Sequence, residues 1–240
     1  MQAVSHSWGL TAVERRSTTD HVLSELRAAI VSGRIRPREP LRETTLAQTL
    51  GTGRSAIREA IRQLVQEGLV EYQLNKGAFV RVLSVDDSDD VYLAREAIEV
   101  SAVRRALDRA SSLDLDPLRK ALDRITTAAN ATPADEPAGT ELIAADLDFH
   151  REMVRLSGSP RLSRAHETLA AEAQMFMHHQ PVYSPATYEA DHTVLFDALV
   201  RRDRAAPDLV REHLRLSARL IAGEIDKLSD VPDRDKGEIR

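Results

Sequence analysis

Between residues 18 and 83, three stretches of helical spacing lead into two short β-type runs around a turn. This order narrows the fold more than any other feature of the chain. Thr18 or Thr19 can cap a first helix, in which Val22, Leu23, Leu26 and Ile30 recur at helical spacing until Gly33 stops it. Arg36-Pro37-Arg38-Glu39-Pro40 is a rigid connector. A second helix is expected over residues 43–50, with Leu46 and Leu50 turned inward. Gly51-Thr52-Gly53 makes a tight turn. A third helix then runs over residues 54–67 and buries Ala56, Ile57, Ala60, Ile61, Leu64 and Val65. Strands over 69–73 and 78–82 flank Leu74-Asn75-Lys76-Gly77, where Asn and Gly tolerate the positive φ of a hairpin. Helix, helix, turn, helix, hairpin is the order of a winged helix-turn-helix.

Beyond it the chain changes character. Residues 84–90 are acidic and lack periodicity, which suggests a linker. From residue 91 to 228 every strong pattern is helical, with helices expected near 88–110, 115–130, 139–157, 160–179, 185–202 and 206–228. The fold class is therefore mainly α: a three-helix winged domain at 18–83, then an antiparallel all-helical bundle at 91–228. Residues 1–17 form a flexible arm and 229–240 a tail. A length of 240 residues suits two cores. No stretch approaches the roughly 18 apolar residues of a membrane span, and residues 1–10 lack the pattern of a secretory signal. There is no cysteine, which excludes disulfides and thiolate metal sites and makes the cytoplasm, in contact with the nucleoid, the expected location.

Charge is divided unevenly. Residues 1–84 hold 12 Lys+Arg against 8 Asp+Glu, a balance of +4, while the remainder holds 21 against 30, a balance of −9. A basic front suits a domain that meets a polyanion. Arg54, Arg58 and Arg62 lie four apart and share one face of the third helix, opposite its apolar face. In a helix-turn-helix the start of this helix enters the major groove, where an arginine fork can bond guanine. Arg62, further along, meets phosphate or water. Lys76 and Gly77 at the hairpin tip allow close approach to the minor groove or to phosphates. Thr44 and Thr45 can donate to phosphate, and either can equally be a helix N-cap.

In the second domain Asp146 and His150 lie one helical turn apart, His192 sits on a later helix and His213 on the last. One carboxylate and three imidazoles from three helices can converge inside a bundle. Such a set suits a borderline divalent ion, with zinc favoured and nickel, manganese or iron possible. The spacing alone also fits ordinary histidines at the edge of a core.

The run Ile30-x-x-Gly33-x-Ile35-x-Pro37 through Leu46-Ala47, then Arg54-x-x-Ile57-Arg58-Glu59-Ala60-Ile61-x-x-Leu64-x-x-Glu67-Gly68-Leu69-Val70 and Lys76-Gly77-x-x-Val80 closely resembles the DNA-binding domain of GntR-family regulators. Two positions depart from the pattern. Arg38 replaces the glycine usual after the proline, and Ala56 the proline usual early in the third helix. Arg95-x-x-x-Glu99, Asp146-x-x-Phe149-His150, His192 and His213 resemble the FadR subfamily and its effector domain, called FCD. Gly158-Ser159 stands where that domain usually has Gly-Asn. The resemblance implies Asp146, His150, His192 and His213 as ligands of a divalent metal. It also implies Arg95 as a partner for an effector carboxylate; an ion pair with Glu96, Glu99 or Asp146 is the alternative.

The expected function is that of a DNA-binding transcription regulator and not an enzyme. It would act as a homodimer on double-stranded DNA with a palindromic operator, as a repressor under control of a small organic-acid effector. Two other readings stay open: the same regulator without metal, holding an acyl or other apolar ligand, and a metal-dependent hydrolase or lyase with Glu152 or Asp191 as base. The last lacks any His-Glu-x-x-His, Gly-x-Ser-x-Gly or phosphate-binding loop.

Overall fold

The computed structural model describes residues 18–109, 113–133, 136, 138–179 and 184–229. The expected arm at 1–17 and the tail from 230 onward lie outside the described residues. The first domain contains α1 (Thr18–Val31), α2 (Glu43–Thr49), α3 (Arg54–Gln66), β1 (Val70–Gln73) and β2 (Gly77–Val80). Its core gathers Ile30, Ile57, Ile61, Leu64 and Leu69, each 1% exposed or less, with Leu46 of α2 and Leu50, which caps its end, packed against them. Of the face expected for α3, Ile57, Ala60, Ile61 and Leu64 are buried, whereas Ala56 and Val65 are half-buried. The strands pair antiparallel, Val70 with Val80 and Gln73 with Gly77. The turn between them needs Asn75 at φ 60° and Gly77 at φ 100°. Pro40 adds a bridge to Phe79, which ties the connector to the hairpin.

Arg38 explains one departure from the family pattern. It adopts φ 68°, the left-handed region that favours glycine, so the backbone has kept the conformation while the residue has changed. Its N–H bonds the Val80 carbonyl at 2.9 Å, which holds the turn in place.

The second domain is built from α4 (Val85–Arg109), α5 (Asp116–Ala131), α6 (Thr140–Arg155), α7 (Pro160–His179), α8 (Pro185–Val200) and α9 (Ala206–Ser229). Helix α4 packs against α9 and α7, and α5 against α6 and α8, around Phe149, Phe176, Leu118, Ile125, Leu142 and Met153. Local chemistry explains several boundaries. Pro185 follows Ser184, whose hydroxyl accepts from the Thr187 N–H at 3.3 Å. Gly158 at φ 62° ends α6, and Ser159 Oγ accepts from the Leu162 N–H to begin α7.

The expected linker at 84–90 is corrected. Its residues from Val85 onward form the first turns of α4. Ser84 and Asp87 make a reciprocal cap: Ser84 Oγ accepts from the Asp87 N–H at 3.1 Å, and the Asp87 carboxylate accepts from the Ser84 N–H at 2.9 Å. Acidic residues at a helix start also meet the positive end of its dipole.

The two domains touch along α7. Met175, 1% exposed, completes the core of the winged domain, whereas Phe176 and Met177 face the bundle core. Arg81 bridges Asp87 on α4 and Glu172 on α7.

Candidate metal centre and nucleic-acid interface

Asp146 and His150 on α6, His192 on α8 and His213 on α9 converge in the bundle. One ligand atom from each lies within 4.8 Å of all the others. The imidazole centroids stand 5.4 Å (His150 to His192), 5.2 Å (His150 to His213) and 5.1 Å (His192 to His213) apart, a near-equilateral triangle. Phe149 meets the His192 ring edge-on at 4.9 Å. The other ring nitrogen of two imidazoles is already engaged. His150 Nδ1 lies 2.6 Å from Glu99 Oε2, and His192 Nδ1 lies 2.6 Å from the Tyr188 carbonyl. As neutral rings they donate from Nδ1 and turn the Nε2 lone pair toward the centre.

For His150, His213 and Asp146 the electrostatics favour the cation-binding forms; for His192 they favour the protonated ring. Burial drives His150 down from its ordinary range, against the pull of Glu99. Burial and the neighbouring His192 and His150 hold His213 well below it. Burial would raise Asp146, but attraction to His192 outweighs it and the carboxyl falls to about 2. His192 is displaced downward by burial and upward by Asp146, and the upward effect wins.

An orphaned atom tests the fit of a metal. His192 Nε2 is buried 2.9 Å from Asp146 Oδ1, at ion-pair distance but without the geometry of a regular hydrogen bond. In the protonated ring this is an ion pair; in the neutral ring, whose Nδ1 donates to the Tyr188 carbonyl, the Nε2 lone pair faces a carboxylate oxygen, an arrangement that a shared cation satisfies. The free space at the centre is about 10 Å³, enough for one water-sized particle. The residues fit a divalent ion.

Arg95 borders the same space. It is 2% exposed, donates from Nε to Glu99 Oε1 at 3.0 Å, and its buried Nη2 has no hydrogen-bond partner among the described residues. Of the alternatives for its ion pair, Glu99 is therefore the one realised. Glu96 pairs instead with Arg211 at 3.2 Å and Arg215 at 2.8 Å. Glu99 is the hub that sequence reasoning undervalued, and His166 the one it missed. His166 Nε2 lies 2.9 Å from Glu99 Oε1 and the residue is 3% exposed. Of the residues considered as a base, Glu152 is paired with Arg155 at 2.7 Å. Asp191 borders the central space, 3.9 Å from His213 Nδ1.

On the winged domain Arg54, Arg58 and Arg62 all project outward, with side chains 60, 60 and 65% exposed. Arg62 pairs with Glu59 at 2.6 Å. Arg54 and Arg58 both address Glu43 at the start of α2. Lys76 and Gly77 are exposed at the hairpin, beside exposed Tyr72 and Leu74. Thr44 and Thr45 are exposed within α2, whose N-cap is Arg42, so the capping alternative for them falls.

A winged helix-turn-helix joined to a helical bundle with a buried Asp-His-His-His cluster defines a two-domain protein with exposed arginines on its head and an enclosed polar centre. Family models match both parts: residues 18–80 as bacterial regulatory proteins of the gntR family, and residues 90–216 as an FCD domain. The chain belongs to the GntR family with an FCD domain. It is 31% identical over 197 residues to the transcriptional repressor GlaR of Escherichia coli, covering 79% of this chain and 89% of that one. It is 35% identical over 132 residues to the Nta operon transcriptional regulator of Aminobacter aminovorans. The chain spans 60% of the length of that regulator and of the YdhC regulator of Bacillus subtilis. A solved GntR transcriptional regulator from Rhodococcus has the same fold at a TM-score of 0.73 and 27% identity, covering 85% of this chain and 97% of that one. These relatives are named as regulators, not as enzymes.

Proposed function

We propose that the protein is a transcription regulator that binds operator DNA as a homodimer and is released by a small organic acid. The observation that carries this is the exposure of Arg54 and Arg58 at the start of α3, beside the hairpin and backed by a fully buried apolar face. Half-sites about one helical turn apart require two such heads, hence a two-fold dimer and a palindromic operator. The repressor direction follows the repressors among its relatives. Thr44, Thr45, Lys76 and Gly77 would meet phosphates, and Arg62 would release Glu59 to do the same. Among the described residues no helix is long and apolar enough to cross a membrane, and the site of action would be the cytoplasm.

Asp146, His150, His192 and His213 would hold a divalent ion, zinc by preference for this nitrogen-rich set. When bound, the ion supplies a positive centre for a carboxylate. Arg95 would add the second positive group through its unpartnered Nη2. The space is about 10 Å³, too small for a preformed ligand pocket of either kind, and its lining of Arg95, Asp146, His150, His192 and His213 is what favours a compact polar occupant over an apolar one. An effector must then push lining side chains aside. Met177 lines the space, and Met175, two residues earlier on α7, sits in the core of the DNA-binding head. Movement of α7 would tilt the heads and change operator affinity.

A band-shift titration of the purified protein on the promoter of its own gene tests the regulator: no shift at low salt ends it. Elemental analysis tests the metal: a stoichiometry near zero ends that part alone.

A further inference from the structure

Glu43 opens α2 and places a carboxylate on the surface that carries Arg54 and Arg58. It accepts from Arg58 Nε at 3.0 Å and from Arg58 Nη2 at 2.8 Å, and Arg54 Nη2 stands 3.6 Å away. An acidic group is costly on a face that meets a polyanion, since it repels the phosphates its neighbours attract. Its hydrogen-bond geometry supplies a reason for it to be there. A guanidinium carries five N–H donors in two forks. Glu43 takes the fork formed by Nε and Nη2. Among the described residues nothing accepts from Nη1, so the fork formed by Nη1 and Nη2 is open, and that fork is one that can bond guanine O6 and N7. The packing of α2 on α3 fixes the carboxylate relative to the arginine stem.

We propose that Glu43 is a positioning residue for base recognition: it braces Arg58, and more loosely Arg54, so that the open fork is offered to a base edge and not swept onto the nearest phosphate. This rests on the reading of α3 as the helix that enters DNA. Two consequences of opposite sign follow. Removing the negative charge strengthens binding to any duplex. Removing the brace obliges Arg58 to be ordered at the moment of binding, which weakens discrimination by about 2- to 12-fold for one long side chain.

The test uses the full chain and two duplexes of equal length: one enriched from a random library by the unsubstituted protein, and a shuffled version of it. Fluorescence anisotropy gives the ratio of the two affinities. For Glu43→Gln the shuffled duplex should bind more tightly and the ratio should fall. In an Arg58→Lys background, where no fork exists, Glu43→Gln should leave the ratio unchanged. Equal tightening on both duplexes, or an undiminished effect in the Arg58→Lys background, overturns the brace and leaves Glu43 a mere charge. Should Glu43→Gln fail to fold, Glu43→Asp keeps the charge and shortens the reach; its ratio should fall while shuffled binding stays constant, and an unchanged ratio overturns the proposal. If the unsubstituted protein enriches no duplex, or Arg58→Ala binds the enriched duplex as tightly, the DNA reading itself has failed and the brace falls with it.

Discussion

His150 Nδ1 rests 2.6 Å from a carboxylate oxygen of Glu99, a residue with no exposed surface. That contact fixes the imidazole tautomer and aims Nε2 at Asp146, His192 and His213. Burial would raise the Glu99 carboxyl, but His150 and Arg95 hold it well below the usual range, so it stays charged. Partners of this kind are worth 10- to 100-fold in metal affinity. Glu99→Gln should therefore weaken zinc binding by about that factor in a chelator competition. It should also lower stability, because Arg95 loses its buried counter-charge. Unchanged zinc affinity would show that Glu99 serves Arg95 and His166 and not the metal centre.

The four central residues predict a metal-dependent stability. A ligand at about 100 times its dissociation constant adds roughly 2.7 kcal/mol, which for a chain of this size raises the melting midpoint by about 5–10 °C. Removing metal with a chelator should lower the midpoint by that amount, and zinc should restore it. His192→Ala and His213→Ala should melt near the chelated value whether or not zinc is present. A midpoint indifferent to zinc in the unsubstituted protein would refute metal binding.

Helix geometry puts residues four apart on one face, which makes Asp146 and His150 neighbours from sequence alone; His192 and His213 were joined to them only by the family resemblance, because spacing does not encode contacts between distant helices. The helix boundaries were legible for local reasons: Pro185, Gly158 and Gly33 act on their own neighbours. His166 was not legible, because its partner Glu99 is 67 positions away and α7 offers no motif around it. The start of α4 was misjudged because its first turn is held by a Ser84–Asp87 cap and charge, not by an apolar stripe. The unpartnered Arg95 Nη2 is a tertiary fact that no spacing encodes.

Arg58 and Arg62 of α3 should separate by role. Arg58→Ala should cost about 1–3 kcal/mol on the selected operator and much less on a shuffled duplex. Arg62→Ala should weaken both alike and reduce the salt slope by about one phosphate contact. Its pairing with Glu59 at 2.6 Å makes even that loss small. Anisotropy titrations across a salt series measure both. Equal specificity loss from Arg58 and Arg62 would show that position along the helix does not set the role.

The junction between the domains supplies another prediction. Gly68 has φ 73°, and a Cβ there would stand 2.7 Å from both carboxylate oxygens of Glu172. Arg81 holds that carboxylate at 3.2 Å, so it cannot swing freely away. Gly68→Ala should destabilise the protein by about 1–2 kcal/mol from the backbone alone, with a further cost from displacing Glu172. Urea denaturation measures the sum. Adding Glu172→Ala should recover the steric part, and failure to recover any would place the whole cost in the backbone.

Acid should destabilise the metal-free protein in two stages. His150 and His213 are shifted downward, so below about pH 6.5 the unfolded chain takes up protons that the folded chain refuses, and stability falls with pH. His192, shifted upward, contributes stability that is complete below about pH 6.5 and is lost as pH rises through its raised value, so it acts above this first stage and does not cancel it. Asp146 and Glu99 are depressed, so their contribution is present above the ordinary carboxylate range and is lost as pH falls toward the folded value, about 2 for Asp146. Melting curves of chelated protein between pH 7.5 and pH 3 should show a first decline near the histidine range and a second below about pH 4. His150→Gln combined with His213→Gln should flatten the first decline and leave the second. A first decline that survives both substitutions would place its origin outside the central cluster.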